Sequence, residues 1–252
     1  MHTFYAPPPQ IHTDTAIITD AEHHHLRNVL RMTPGETVRI IDGQGNVYTA
    51  DVRHVGTKNA SSEVRILSHE FHPSTLPSMT LFQGLPKNDK MALILQKTTE
   101  IGVTQIVPLR TEYALQKPGF QNRHERWHRI VIAATKQCKR TWLPELCEPQ
   151  TYEVSLTQLD KFSLCLILNP HLAQEPRPQH IKTVLREISQ PTSIALFVGP
   201  ESGFSDQEVT AAIENGCIPV TLGANILRTE TAAIVAVAAI AYEYQTHCST
   251  NC

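Results

Sequence analysis

Long apolar segments are missing from this chain. The longest uncharged apolar run, Ala232 to Tyr242, is about half of the ~20 residues a bilayer-spanning helix needs. No membrane association is expected. The start does not order basic, then apolar, then small residues, so no signal peptide is expected and the cytoplasm is the expected compartment. Neither G-x-G-x-x-G nor G-x-x-x-x-G-K-[ST] occurs, which argues against Rossmann and P-loop phosphate cradles. Charge of one sign does not dominate either. Net charge is -2, which argues against a surface wrapped in nucleic acid throughout but leaves room for one basic face. The six cysteines, Cys138, Cys147, Cys165, Cys217, Cys248 and Cys252, are scattered, with the last two close together on the tail. A chain of 252 residues can bury a core without disulfide staples, so reduced thiols are expected. No internal repeat or low-complexity tract is visible. Hydrophobic content of 41% with 18% charged residues fits a folded globular chain.

The chain reads as two halves. Residues 1–70 are β-rich: strands at 37–42, 47–55 and 62–67, with D-G-Q-G (42–45) as the turn between the first two. One helix is expected at 21–32, before the Pro34-Gly35 break. This pattern predicts a small barrel. The stretch F-H-P-S-T-L-P-S reads as a linker. From Met79 onward strands alternate with helices. Strands are expected at 80–83, 105–109, 164–168, 194–198 and 218–222, and helices at 89–101, 123–139, 179–188, 206–215 and 229–244. The alternation predicts an α/β domain with a largely parallel sheet, whose ligands bind beyond the carboxyl ends of the strands.

Two strand–turn–helix joints stand out. In F-V-G-P-E-S-G-F-S-D-Q-E-V an apolar strand ends at Val198. Gly199, Pro200 and Gly203 then form a turn whose backbone can approach a ligand. Ser205 and Glu208 have the spacing of a capping box. The serine of G-P-E-S-G is one place too late for a nucleophile elbow. The second joint is L-G-A-N-I-L-R-T-E-T-A-A. A strand ends at Leu222, a turn follows, and Thr229 is a reasonable N-cap for the apolar helix. Arg228 and Glu230 are poor core residues. The bland reading is an exposed ion pair at a helix start, which contributes little. Two glycine-bearing joints, each with charged residues, point instead to one shared pocket. The following helix is apolar nearly all round, which predicts burial on several sides.

The segment N-R-H-E-R-W-H-R-I-V-I-A-A-T-K-Q-C-K-R, read as a helix, puts Trp127, Val131, Ala134 and Cys138 in an inward stripe. Arg129, Lys136 and Arg140 share another face. This excess of positive charge in a net-acidic chain favours an anionic partner such as RNA phosphate. The same segment contains H-E-x-x-H at His124, Glu125 and His128, the zinc-hydrolase pattern, with Glu145 or Glu148 as conceivable third ligands. Its place at the polar start of a helix, among arginines, argues against metal. Earlier, E-H-H-H-L-R-N-V-L-R-M carries His24, Arg27 and Arg31 near one helix face, where they could touch phosphate; a half-buried surface helix is the plainer reading. In the helix at 89–101, Met91, Ile94, Leu95 and Thr98 read as core. Lys97 and Glu100 read as a local pair or as site-facing.

The motifs Q-K-T-T-E-I-G-V-T-Q-I-V-P-L, R-W-H-R-I-V-I-A-A-T-K-Q-C-K-R, F-V-G-P-E-S-G-F-S-D-Q-E-V and L-G-A-N-I-L-R-T-E-T-A-A, in this order, resemble the ribosomal RNA small subunit methyltransferase E family. These are 16S rRNA uridine-N3 methyltransferases of the SPOUT class. The resemblance covers nearly the whole chain. It implies a PUA-like β-barrel at 1–72 that helps hold RNA, a linker at 73–78, and a SPOUT domain at 79–252 with a C-terminal trefoil knot. It implies a homodimer joined through the apolar C-terminal helix and action on 16S rRNA of the small ribosomal subunit; no metal is expected. S-adenosylmethionine would sit against Leu168 and Asn169; Phe197, Val198, Gly199, Pro200 and Gly203; and Leu222, Gly223, Ile226, Leu227 and Thr231. Arg228 is the candidate to stabilise a uridine anion, and Glu230 or Glu201 to take its proton. His24, Arg27, Arg31, Arg129, Lys136 and Arg140 are the RNA-binding candidates. The chain departs from the family pattern at Ser202, where glycine is usual, and at Lys136-Gln137-Cys138-Lys139-Arg140, where E-Q-x-x-R is usual. A methyltransferase, a zinc hydrolase and a non-catalytic RNA-binding module remain the three classes in play.

Overall fold

The computed structural model describes residues 1–57, 60–87, 89–113, 120–169 and 177–245. Cys248 and Cys252 lie outside them. The chain divides into two compact units, Met1–Ser74 with Ile132–Leu143, and Thr75–Val131 with Pro144–Cys252.

The first unit carries five strands: β1 (His2–Tyr5), β2 (Thr15–Ile18), β3 (Thr37–Ile41), β4 (Asn46–Val55) and β5 (Ser62–Phe71). They form one sheet in the order β1-β3-β4-β5-β2. Only β1 and β3 run parallel; the other neighbours are antiparallel. Alternating residues such as Val38, Ile40, Ala50, Val52 and Val64 face a core with Phe4, Ile18 and Leu26. The β3–β4 turn is built by Asp42. Its Oδ1 accepts from the backbone N–H of Gln44 and Asn46 at 2.7 and 3.1 Å. Gly45 sits at φ +93°, and a Cβ there would lie 2.7 Å from the Trp142 ring. Only glycine serves both demands. Trp142 meets Phe71 edge-on and donates from Nε1 to His72 O at 2.8 Å.

The helix expected at 21–32 is shorter and of two kinds. An α-helical turn, α1 (Asp20–His24), passes into a π-helical turn over His25–Val29. Arg31 then takes φ +54°, which ends the segment.

The second unit contains β6 (Ser78–Gly84), α2 (Lys90–Ile101), β7 (Gln105–Arg110), β8 (Glu145–Leu146), β9 (Gln150–Thr151), α4 (Tyr152–Leu156), β10 (Leu164–Leu168), β11 (Gln179–His180), α5 (Ile181–Glu187), β12 (Ser193–Val198), α6 (Asp206–Glu214), β13 (Ile218–Thr221) and α7 (Thr229–Tyr244). A further helix, α3 (Phe120–Gln137), runs from this unit into residues of the first. The strands form an eight-stranded sheet, β11-β13-β10-β12-β6-β7-β8, with β9 also on β7. Every pairing is parallel, as the strand–helix rhythm predicts. β12 reads Ser-Ile-Ala-Leu-Phe-Val and is buried from Ile194 to its end, as expected of a strand covered on both faces. Phe197 stacks on Phe82 with centroids 4.5 Å apart. Such pairs add about 0.5–1.5 kcal/mol beyond the area they bury.

The capping box read from the sequence is present. Ser205 Oγ accepts from Glu208 N, and Glu208 Oε2 accepts from Ser205 N. Loss of such a cap costs about 0.5–2 kcal/mol. Glu208 does more, because its Oε1 accepts from Glu112 N at 2.9 Å and so ties the turn after β7 to α6.

Candidate active site

The sheet ends β10, β12 and β13 open onto a cavity of about 310 Å³. Ligand pockets in α/β sheets lie at this edge. Leu168, Asn169, Val198, Gly199, Pro200, Gly203, Leu222, Ile226 and Leu227 line it, together with Glu201 and Arg228. The structure therefore gathers most of the residues expected at the cofactor and catalytic positions. Four expected residues lie outside the lining. Phe197 is fully buried in the core between Phe82 and Tyr152. Gly223 and Thr231 are beyond the wall, and Thr231 is exposed. Glu230 is set behind it, with a side chain only 12% exposed.

Two polar residues that the sequence reading left among structural elements hold the pocket together. The first is Lys90, in the first turn of α2. Its Nζ lies 3.0 Å from Glu201 Oε1 and 3.4 Å from Glu230 Oε2. The Glu230 oxygen is buried and makes an ion pair there without a hydrogen bond. Glu201 has both oxygens engaged, since Lys87 N donates to them at 3.0 and 3.1 Å. Burial raises the Glu201 pKa, but the Lys90 hydrogen bond and the backbone donors outweigh it and hold the group below the ordinary carboxylate range. The Lys90 ammonium is correspondingly raised, first by its hydrogen bond to Glu201. Lys97 and Glu100, the alternative from the sequence, form a local pair at 2.9 Å.

The second residue is Gln83, buried at the end of β6. Its Nε2 donates to Gly84 O at 2.9 Å and Thr229 Oγ1 at 3.1 Å, with Val198 O and Gly199 O at 3.4 and 3.5 Å. Thr229 in turn donates to Gly199 O at 2.6 Å. Thr229 was expected as the N-cap of α7. That position is Arg228, and Thr229 is the first helical residue, its hydroxyl spent on the β12 turn rather than on its own helix. The signal for Gln83 was a lone amide in an apolar strand with no local partner.

Glycines set how close these turns can come. A Cβ on Gly84 would lie 2.5 Å from Pro200 Cδ, and one on Gly199 2.9 Å from Gly203 C.

The proposed RNA residues are less uniform. In the first unit His24 and Arg31 are exposed and Arg27 is half-buried. Lys136 is committed to an ion pair with Glu22 at 2.5 Å. Arg140 lies past the end of α3, and burial lowers its pKa. The single helical line of Arg129, Lys136 and Arg140 is therefore broken at its last member. In the second unit Arg129 is exposed, with Nε donating to Glu125 O at 3.3 Å. The inward stripe holds for Trp127, Val131 and Ala134, while Cys138 is half-buried.

The H-E-x-x-H segment is otherwise engaged. His124 Nε2 lies 3.3 Å from Leu146 O, and its Nδ1 is 3.7 Å from Glu148. Among the described residues no group of three or more His, Cys, Asp or Glu side chains could hold a metal ion.

A parallel sheet with a charged pocket at its strand ends, in a chain that also carries a curled five-stranded sheet, defines a class. Residues 73–241 match the RNA methyltransferase domain model, and residues 18–65 the RNA methyltransferase PUA domain model. The ribosomal RNA small subunit methyltransferase E of Synechocystis sp. is 35% identical over 92% of this chain and 75% of its own length. The Neisseria gonorrhoeae enzyme of that name, solved bound to S-adenosyl methionine, is 33% identical. It covers 97% of this chain and 98% of its own, with a TM-score of 0.82. A Legionella pneumophila methyltransferase solved with bound SAM is 32% identical, covers 94% and 96%, and has a TM-score of 0.83. The chain belongs to the ribosomal RNA small subunit methyltransferase E family.

Proposed function

We propose that this chain transfers a methyl group from S-adenosylmethionine to N3 of a specific uridine in 16S rRNA of the small ribosomal subunit. The observation that carries the reading is the cavity at the strand ends, with Arg228 and Glu201 in its wall and Glu230 braced behind it. The residues present fit the cofactor. Leu168, Val198, Val220, Leu222 and Leu227 offer apolar wall, Asn169 a polar edge, and Glu201 a negative charge for a cationic ligand. About 310 Å³ is at the small end of the range for such sites.

The cofactor supplies an electrophilic methyl on a sulfonium. Uridine N3 becomes a nucleophile once its proton leaves. Arg228 stabilises the resulting anion from the pocket wall. Glu201 or Glu230 takes the proton: Glu201 lines the cavity, with both oxygens hydrogen-bonded and its basicity lowered, and Glu230 stands behind the wall. Attack joins opposite charges, so a water-poor, positioned site favours it over solvent.

The same reading assigns residues 1–72 to an RNA-holding PUA-like barrel, 73–78 to a linker and 79–252 to a methyltransferase domain. In that domain 168–169, 197–203 and 222–231 are loops of a C-terminal trefoil knot. Exposed Ile226, Val235 and Tyr242 on and before α7 support a homodimer joined through that helix. No helix among the described residues is long and apolar enough to cross a membrane, and action on ribosomal RNA implies the cytoplasm.

The test is transfer of labelled methyl to unmodified small ribosomal subunits, followed by digestion and identification of the labelled nucleoside. Label in N3-methyluridine is expected. Cofactor binding without transfer would move the substrate assignment, and failure to bind the cofactor would remove the reading.

A further inference from the structure

Three segments that are distant in sequence meet at one ammonium group. The turn after β12 brings Glu201, the first turn of α7 brings Glu230, and the first turn of α2 brings Lys90. Lys90 lines the cavity, whereas Glu230 does not. Two carboxylates so close repel each other, and Coulomb repulsion at this range is large wherever water is partly excluded. A shared cation offsets that repulsion and holds both side chains in place.

We propose that Lys90 is a positioning residue for methyl transfer, acting through Glu201 and Glu230 to lock the β12 turn against the start of α7. Among the described residues the charged groups around it are few. Glu201 faces it from the β12 turn, and Glu230 from α7, next to Arg228. On its own element, Asp89 is turned to Arg126 at 2.9 Å, and Lys97 and Glu100 pair with each other further along α2. The turn before α2 contributes the Lys87 N–H to the same Glu201 carboxylate. Lys90 thus sets the spacing between the turn that lines the cofactor cavity and the helix start that carries Arg228 and Glu230. An error of an ångström in such spacing costs turnover on the order of 100-fold.

The inference rests on the methyltransferase reading for its catalytic arm only. Its first arm uses the intact protein without cofactor or RNA. With ¹³C-labelled glutamate, and Glu201 assigned through Glu201→Gln, the Glu201 carboxyl is titrated in wild type, Lys90→Met and Lys90→Arg. Lys90→Met should move the titration up, and Lys90→Arg should leave it near the wild-type position. In the second arm, Lys90→Met should lower kcat on the order of 100-fold and weaken cofactor Kd by a much smaller factor, and Lys90→Arg should recover most of kcat. An unmoved Glu201 titration in Lys90→Met overturns the proposal. So does an arginine variant no better than the methionine one. Wild-type protein that transfers no methyl would sink the proposed function and still leave the titration to decide the brace.

Discussion

Gln83 Nε2 donates to Thr229 Oγ1 at 3.1 Å, and the same hydroxyl donates to Gly199 O at 2.6 Å. One buried amide thereby fastens the end of β6 to the start of α7 and to the turn after β12. Its nitrogen faces only acceptors, so a carboxylate of the same shape is a severe test. Gln83→Glu should lose about 3–5 kcal/mol of stability at neutral pH, because the charge is buried without a partner. The penalty should shrink as pH falls and the new carboxyl takes a proton. Urea unfolding at two pH values reads this directly, and equal losses at both would contradict it.

Gly84 faces Pro200 too closely for any side chain. Gly84→Ala should push the β12 turn away at a cost of about 1–3 kcal/mol. Calorimetric titration with S-adenosylmethionine should show affinity about 10- to 100-fold weaker, in a protein that still unfolds cooperatively.

Arg228→Ala should separate chemistry from binding. Turnover should fall by about 10²–10³ if the guanidinium stabilises developing negative charge, with a much smaller change in cofactor Kd. Equal losses in the two would remove that role.

Of the candidate RNA contacts, Arg129 and Lys136 should differ. Arg129 is exposed, whereas Lys136 already neutralises Glu22. Arg129→Ala should weaken RNA binding and reduce the salt slope by about one. Lys136→Ala should reduce it less. It should also let the His25 pKa rise, since burial first and then the Lys136 charge hold it down. Binding over a range of salt, and imidazole titration by NMR, test both halves.

Glu201 gives the acid side of the stability profile a defined shape. Its folded pKa is depressed, so its contribution is fully present above the unfolded value of about 4.3 and is lost as pH falls through the lower folded value. Acid unfolding of Glu201→Gln should therefore be less steep in that window than that of the wild type.

The parts of this fold that depend on neighbouring residues were readable in the sequence. Strand β10, the apolar helix α7 and the Ser205–Glu208 cap follow from local periodicity and cap chemistry. Strands β1 and β2 were not readable: each has four residues, and β1 pairs in parallel with β3, a non-local contact that leaves no local pattern. Arg228 and Glu201 announced themselves as charges beside glycine turns. Lys90 looked like any lysine at a helix start, because its meaning lies in carboxylates supplied by the β12 turn and by α7. The π-helical turn after His24 replaced one continuous helix, and hydrophobic spacing over so few residues cannot tell the two apart.

Residues 132–143 pack with the β-rich unit although the chain has by then passed through β6, α2 and β7 of the other. The two units are therefore interlaced along the chain and not strung one after the other. A protease cut in the 73–78 stretch would yield two incomplete pieces. The shorter would lose the indole that caps the β3–β4 turn. The longer would carry Trp142 without Phe71 and His72, its aromatic and carbonyl partners. Either half expressed alone would meet the same obstacle, so the first unit needs a stretch of chain that comes after much of the second.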